Sequence, residues 1–195
     1  MPAPKILVLP GSTRTGSHNV RLAALAAKEL TLLDVDVTRI SLVDYPLPLY
    51  DPDTDARSGP PDNAVKLKQM IAAHQGVFIA SPDYSASVSP ILKNAIDWVS
   101  RVRERGDPTY AAFKGRVFAI SSASPGRSGG LRSLMALRQI LELGCGALMI
   151  PEQVAIPQAD NAFDDMDNII DIATANLFRA QLARLVDMAR LIGGR

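Results

Sequence analysis

The sequence predicts a three-layer α/β domain built on a five-stranded parallel sheet. Two observations carry this. Short, continuous apolar runs alternate along the chain with segments of helical periodicity, and the runs lack the in–out alternation of a half-exposed strand. Small-residue loops rich in Gly, Ser and Pro follow the runs, as expected at the strand ends of such a sheet.

The first run, Lys5 to Leu9, is the first expected strand, and a helix is expected over Asn19 to Leu32. Val35 to Ile40 is a weaker strand, apolar at Val35, Val37 and Ile40. Asp44 to Asp62 carries Pro46, Pro48, Pro52, Pro60 and Pro61 and reads as a long irregular surface connection. A helix over Asn63 to His74 then leads into a strand at Gly76 to Ala80. The next helix, Pro90 to Val102, has a local cause: Ser89 caps it and Pro90 fits its first position, where the missing N–H costs nothing. Leu92, Ala95, Ile96 and Val99 recur on its core-facing side. Strands at Arg116 to Ile120 and Gly146 to Ile150 flank a helix over Leu131 to Leu143, and a last helix spans about Asp165 to Leu191. Nothing interrupts this alternation, so the 195 residues read as a single domain.

Composition narrows the function. An apolar fraction of 47% and a net charge of +1 exclude disorder and a polybasic nucleic-acid surface. The arginines at 101, 103 and 105 are interrupted by Glu104. The single Cys145 excludes an intrachain disulfide framework and reads as a buried thiol. The first strand begins almost at once, leaving no room for a secretory signal, and no apolar run approaches membrane-spanning length. The expectation is a soluble, cytoplasmic protein with no nucleic-acid or membrane partner.

Gly11-Ser-Thr-Arg-Thr-Gly-Ser-His-Asn19 joins the first strand to its helix. Strand, small loop, helix presents backbone N–H groups and a positive helix end to a phosphate. Ser12, Ser17 and Arg14 add donors, with Asn19 bracing the loop or reaching the phosphate itself. The Walker pattern is excluded because Ser17 and His18, not Lys and Ser/Thr, follow Gly16. The dinucleotide fingerprint is excluded because only Gly11 and Gly16 are present of its three glycines. A single terminal phosphate ester remains.

Two further loops follow strands. Ser81-Pro-Asp-Tyr-Ser-Ala-Ser-Val-Ser-Pro90 is small and polar, with backbone groups suited to the edge of a flat heteroaromatic ring. Ser121-Ser-Ala-Ser-Pro-Gly-Arg-Ser-Gly-Gly130 has the same character. All three sit at carboxyl ends of strands, so one shared crevice is expected. Asp83 either hydrogen-bonds a ligand or stabilises its own loop. His18 and His74, the only histidines, form no motif with Cys or Asp, so no metal site is expected. The absence of G-x-S-x-G excludes a serine hydrolase of that type, and no side chain reads as catalytic. Chemistry is then expected from a bound cofactor.

With Leu47-Pro-Leu-Tyr-Asp51, Pro82-Asp-Tyr-Ser-Ala-Ser87 and Leu92-Lys-Asn-Ala-Ile-Asp-Trp98 beside the first loop, the chain resembles the NAD(P)H-dependent FMN reductase family, which includes quinone, chromate and azo-dye reductases. The resemblance runs from the first strand to near residue 150. It implies a flavodoxin-like sheet of order 2-1-3-4-5 with noncovalent FMN at the strand ends. Ser12, Arg14, Ser17 and Asn19 match the family's phosphate loop. Pro82, Asp83, Tyr84, Ser85 and Ser87 match its loop along the isoalloxazine ring and ribityl chain, and Ser121 and Gly126 fall in its third loop. It further implies NADPH or NADH as co-substrate, a small-molecule acceptor (quinone, free flavin, azo compound or chromate), and a homodimer or homotetramer with the Pro90 helix and the long loop at the interface. This chain departs from the common Pro-Glu-Tyr-Asn with Asp83 and Ser85, and from a frequent proline with Ser89. The rival readings are a flavodoxin-type electron carrier, disfavoured by the balanced charge, and a non-enzymatic regulatory protein on the same fold.

Overall fold

The computed structural model describes residues 3–193. Its five strands are β1 (Lys5–Pro10), β2 (Asp36–Arg39), β3 (Gly76–Ala80), β4 (Val117–Ala123) and β5 (Leu148–Ile156). They form one parallel sheet of order β2-β1-β3-β4-β5, the flavodoxin-like arrangement. Its helices are α1 (His18–Thr31), α2 (Pro52–Ser58), α3 (Asp62–Ala72), α4 (Pro90–Arg101), α5 (Leu131–Arg138) and α6 (Ile172–Gly193).

The sheet is covered on both faces, which is why its central strands are apolar throughout. Ile6 and Val8 of β1 face Leu22, Ala26 and Leu30 of α1 and Phe178, Leu182 and Leu185 of α6. Leu7 and Leu9 point the other way, against Leu67 and Ile71 of α3, Leu92 and Ile96 of α4, and Leu134 and Leu137 of α5. The two-residue period of a strand thus divides one apolar run between two cores.

Several boundaries differ from the expectation. The 44–62 connection is not wholly irregular: Asp51 accepts from Thr54 N at 2.7 Å, Pro52 opens α2, and Gly59 closes it at φ 71°. The last helix begins at Ile172 rather than near Asp165. Asp164 Oδ1 accepts from Met166 N and Asn168 N, and Asp171 Oδ2 accepts from Thr174 N, so short acidic side chains compete with helix before they cap it. After Arg138, α5 continues only as a π-helical turn over Gln139–Gly144. The Asn63 helix stops at Ala72, leaving His74 beyond it with Nδ1 2.6 Å from Met70 O.

Strands β4 and β5 run further than expected, to Ala123 and Ile156. Their register slips between Phe118 and Ile120, which pair with Met149 and Gln153. Pro151, which cannot donate, lies in this bulge on an edge strand. Arg138 Nη2 donates to Ile150 O at 2.9 Å, and the fully buried Gln181 donates to Ile120 O at 2.8 Å and Glu152 O at 3.1 Å. Side chains from both layers therefore satisfy the carbonyls that the bulge unpairs.

A buried cation anchors the segment after α4. Lys68 of α3 donates to Asp107 at 2.7 Å and lies 2.9 Å from Glu104. Burial works against the Lys68 charge, but the two carboxylate bonds outweigh it and raise its pKa. The Lys68 bond holds Asp107 and Glu104 below their ordinary values. Stability from the carboxylates is present above their ordinary range and lost as pH falls through the depressed folded values. Stability from Lys68 is present below its ordinary value and lost as pH rises through the raised one. Replacing Asp107 by Asn is expected to flatten the loss of stability below about pH 4, read as urea midpoints from pH 2 to 7; an unchanged acid limb would refute the assignment.

Candidate functional site

The three loops meet at the carboxyl ends of β1, β3 and β4. Gly11 N donates to Ala80 O at 2.8 Å, which seats the first loop beside β3. A methyl at Gly11 would stand 2.8 Å from Leu92 Cδ2 and 3.3 Å from Pro82 Cδ, so glycine is what lets this loop pass so close to α4 and the second loop. Ser89 accepts from Leu92 N as the cap of α4 and donates to Gly11 O. The departure at Ser89 therefore ties the start of α4 to the first loop, a bond that proline cannot make.

In the first loop Ser12 and Ser17 are buried, whereas Thr13, Arg14 and Thr15 are exposed. Ser17 caps α1, its Oγ accepting from Asn19 N at 3.3 Å. Asn19 is buried and its amide engages one residue twice: Nδ2 donates to Ala123 O at 2.9 Å and Oδ1 accepts from Ala123 N at 3.0 Å. In this structure it braces the first loop against the end of β4. Arg14 folds over its own loop, with Nη1 and Nη2 each 3.4 Å from the carbonyls of Thr15 and Gly16. The amides of Thr13, Thr15 and Gly16 face no acceptor among the described residues. Unpaired N–H groups, exposed hydroxyls and one guanidinium at a helix N-terminus are donors that can hold an anion.

The second loop turns sharply. Tyr84 and Ser87 exchange two backbone bonds of 3.0 Å, and Ser85 and Ala86 between them adopt φ 52° and 64°. Two left-handed residues define a type I′ turn, here built without glycine or asparagine. Asp83 Oδ1 holds the turn by accepting from Ala86 N at 2.9 Å. Pro82 O accepts from Ser133 Oγ of α5 at 2.9 Å. Tyr84, Ser85 and Ser87 are exposed.

The third loop starts later than expected. Ser121 lies inside β4, fully buried, with its hydroxyl donating to Gln181 at 2.6 Å on the α6 side. The loop proper begins near Ser124, whose N donates to Ile156 O at 3.1 Å, and Gly126 and Arg127 lie on its exposed tip. Gly129 and Gly130, at φ 60° and 85°, return the chain under β5 and the second loop. Both lay within the expected loop but carried no role; nothing short of the β5 contact distinguishes them from ordinary turn glycines. Below the crevice, an apolar void among Leu9, Ile79, Leu92 and Phe118 belongs to the core.

Other candidates fall outside the site. His18 Nε2 lies 3.0 Å from Asp160 Oδ1, linking α1 to the turn after β5. Arg101 donates to Tyr50 OH at 2.8 Å and stacks over its ring, so the Leu47–Asp51 segment is strapped to α4 together with Asn94 and Trp98, which both donate to Pro48 O. Burial pushes the Cys145 thiol up to about 11, an unreactive state. Among the described residues no group of three His, Cys, Asp or Glu is placed to hold a metal, and no helix is long and apolar enough to cross a membrane.

Residues 4–161 match the family described as NADPH-dependent FMN reductase. An NAD(P)H-dependent FMN reductase of Pseudomonas aeruginosa is 36% identical over 192 residues, covering 97% of both chains. A quinone reductase of Escherichia coli is 36% identical over 138 residues, covering 70% of this chain and 69% of the relative. Among solved structures, the flavoenzyme NAD(P)H:(acceptor) oxidoreductase FerB of Paracoccus denitrificans superposes with a TM-score of 0.79 at 26% identity, covering 97% of this chain and 98% of that one.

Proposed function

Because this chain belongs to the NADPH-dependent FMN reductase family, we propose that FMN is the cofactor of its three-loop crevice. The protein is an NAD(P)H-dependent flavin oxidoreductase that delivers reducing equivalents to an acceptor such as a quinone. The single observation that carries the FMN reading is the first loop: unpaired amides at Thr13, Thr15 and Gly16 beside Arg14, at the N-terminus of α1.

In this reading Ser12, Arg14 and the loop amides hold the phosphate, while Ser17 and Asn19 hold the loop itself. Pro82 to Ser87 would hold the edge of the ring with their exposed backbone groups. FMN, when bound, would supply the two-electron chemistry between nicotinamide and acceptor. The chain's contribution is position and fixed dipoles, so no acid or base side chain is required. Ser121, whose hydroxyl is taken by Gln181 and whose carbonyl is taken by Ser81 N, only holds β4 in place beneath the site, and Gly126 gives the third loop its exposed tip.

NADH and NADPH are both donors to test. Of the arginines that could meet a 2′-phosphate, Arg101 is engaged by Tyr50, while Arg105 and Arg127 are exposed, Arg127 on the tip of the third loop. Quinones, free flavin, azo compounds and chromate are the acceptor classes. The assembly is a homodimer or homotetramer with α4 and the 44–62 connection at the interface, a reading supported by the exposed Leu49 there; a monomer in sedimentation at micromolar concentration would remove it.

The test is FMN titration followed by stopped-flow bleaching with each nicotinamide. Arg14→Ala is expected to weaken FMN binding about 10- to 100-fold, the loss of a charge-assisted bond to phosphate. Its melting temperature is expected to stay near that of the parent, because Arg14 is exposed and bonds only to its own loop. Unchanged FMN affinity would contradict the phosphate assignment, and a parent protein that binds no FMN would end the reading.

A further inference from the structure

Beneath the junction of the second and third loops lies a hydroxyl without a partner. Ser122 is fully buried in β4, and its Oγ hydrogen-bonds to nothing among the described residues. Gly130 shows where it points. A methyl on Gly130 would stand 2.0 Å from Ser122 Oγ and 3.5 Å from Asp83 Cβ. The hydroxyl therefore lies against Gly130, and Asp83 Cβ approaches the same point. Its neighbours in the strand have found partners: Ser121 donates to Gln181, and Ala123 is bracketed by Asn19.

Above it, Asp83 is half-buried and uses one carboxylate oxygen, on Ala86 N. A carboxylate has acceptor capacity for more. The turn that Asp83 holds is the strained part of the crevice, with Ser85 and Ala86 both left-handed and neither a glycine. A buried donor without a bond and a half-buried acceptor with capacity to spare thus flank the segment that must settle against a flat ring.

We propose that Ser122 is a positioning residue for the second loop: its hydroxyl donates to the Asp83 carboxylate when that loop closes on the cofactor. The bond locks Asp83 from below, while Ala86 N holds it from the turn. The unpaired hydroxyl of the free protein is thus a cost recovered on binding, which makes closure part of cofactor affinity. This rests on the FMN reading above.

The experiment is a double-mutant cycle on FMN affinity, with the melting temperature of each cofactor-free protein measured alongside. Ser122→Ala is expected to melt at or above the parent, since an unsatisfied buried hydroxyl is removed, yet to bind FMN about tenfold more weakly. Asp83→Ala is expected to weaken FMN at least as much, and the double variant no more than Asp83→Ala alone. An unchanged FMN dissociation constant in Ser122→Ala, a cofactor-free form that melts well below the parent, or losses that multiply in the double variant would each overturn the proposal. Failure of the parent to bind FMN would strike the underlying reading instead, and the two failures are distinct.

Discussion

Gly129→Ala is expected to destabilise the protein by about 3–5 kcal/mol and to lower its melting temperature by roughly 10 °C. Two effects add. The residue sits at φ 60°, which an alanine adopts only at a cost of about 1–2 kcal/mol. The added Cβ would also stand 2.7 Å from Ile156 C and from Pro157 N, and 2.8 Å from Ala155 C. These are backbone atoms of β5 and its exit, so no side-chain rotation relieves the contact. The third loop would have to lift from β5, and FMN retention should fall with stability. Gly126→Ala, in the same loop, is the control. Its nearest neighbour would be Ser124 Oγ at 3.8 Å, so a change within about 0.5 kcal/mol is expected. Thermal unfolding of both variants checks the pair; a Gly129→Ala protein that melts with the parent would show that the loop is not clamped there.

Arg116→Ala should cost about 2–4 kcal/mol, by a different route and at the opposite end of the sheet. Its guanidinium donates to Ile71 O at 3.0 Å and Ala72 O at 2.7 Å, carbonyls at the end of α3. It also donates to Ala111 O at 3.0 Å and Lys114 O at 2.7 Å. One side chain thus ends a helix and fastens the turn that leads into β4. Burial lowers its pKa, but the guanidinium remains charged throughout the working range. Arg116→Lys should recover little, since an ammonium cannot fork between two backbone segments. Neither variant should alter FMN affinity in the folded protein, because Arg116 precedes β4 and the crevice lies beyond its far end. Denaturant midpoints and FMN titration read the two quantities separately. A shift in FMN affinity as large as that of Arg14→Ala would contradict this division.

The order of elements and the position of the crevice were legible because they depend on local signals. Continuous apolar runs identify strands buried on both faces, and Ser89-Pro90 announces the helix that starts there. Boundaries were less legible where short polar side chains decide them. Asp51-Pro52 carried a cap and first position of the same kind as Ser89-Pro90, yet α2 buries no residue and so left no apolar period to read. Asp164 and Asp171 hid the true start of α6, because a carboxylate can stop a helix or cap one with the same atoms.

Within the crevice, the sequence by itself determined the inventory: a loop of hydroxyls with one arginine at a helix start, followed by two small polar loops at adjacent strand ends. That inventory excluded a triphosphate site and pointed to a monophosphate ester beside a flat ring. Tertiary structure decided what each polar residue does. Ser12 and Ser17 are buried and Thr13 is exposed; Asn19 spends both ends of its amide on Ala123, Ser121 turns to Gln181, and the buried Ser122 hydroxyl has no partner among the described residues. The physical reason is that a hydroxyl or amide caps, clamps or binds with identical chemistry. Which of the three it does depends on the partner brought to it, and those partners come from 104 residues away for Asn19 and 60 for Ser121. Local sequence prescribes the donors; the packing of two helical layers on the sheet assigns their acceptors.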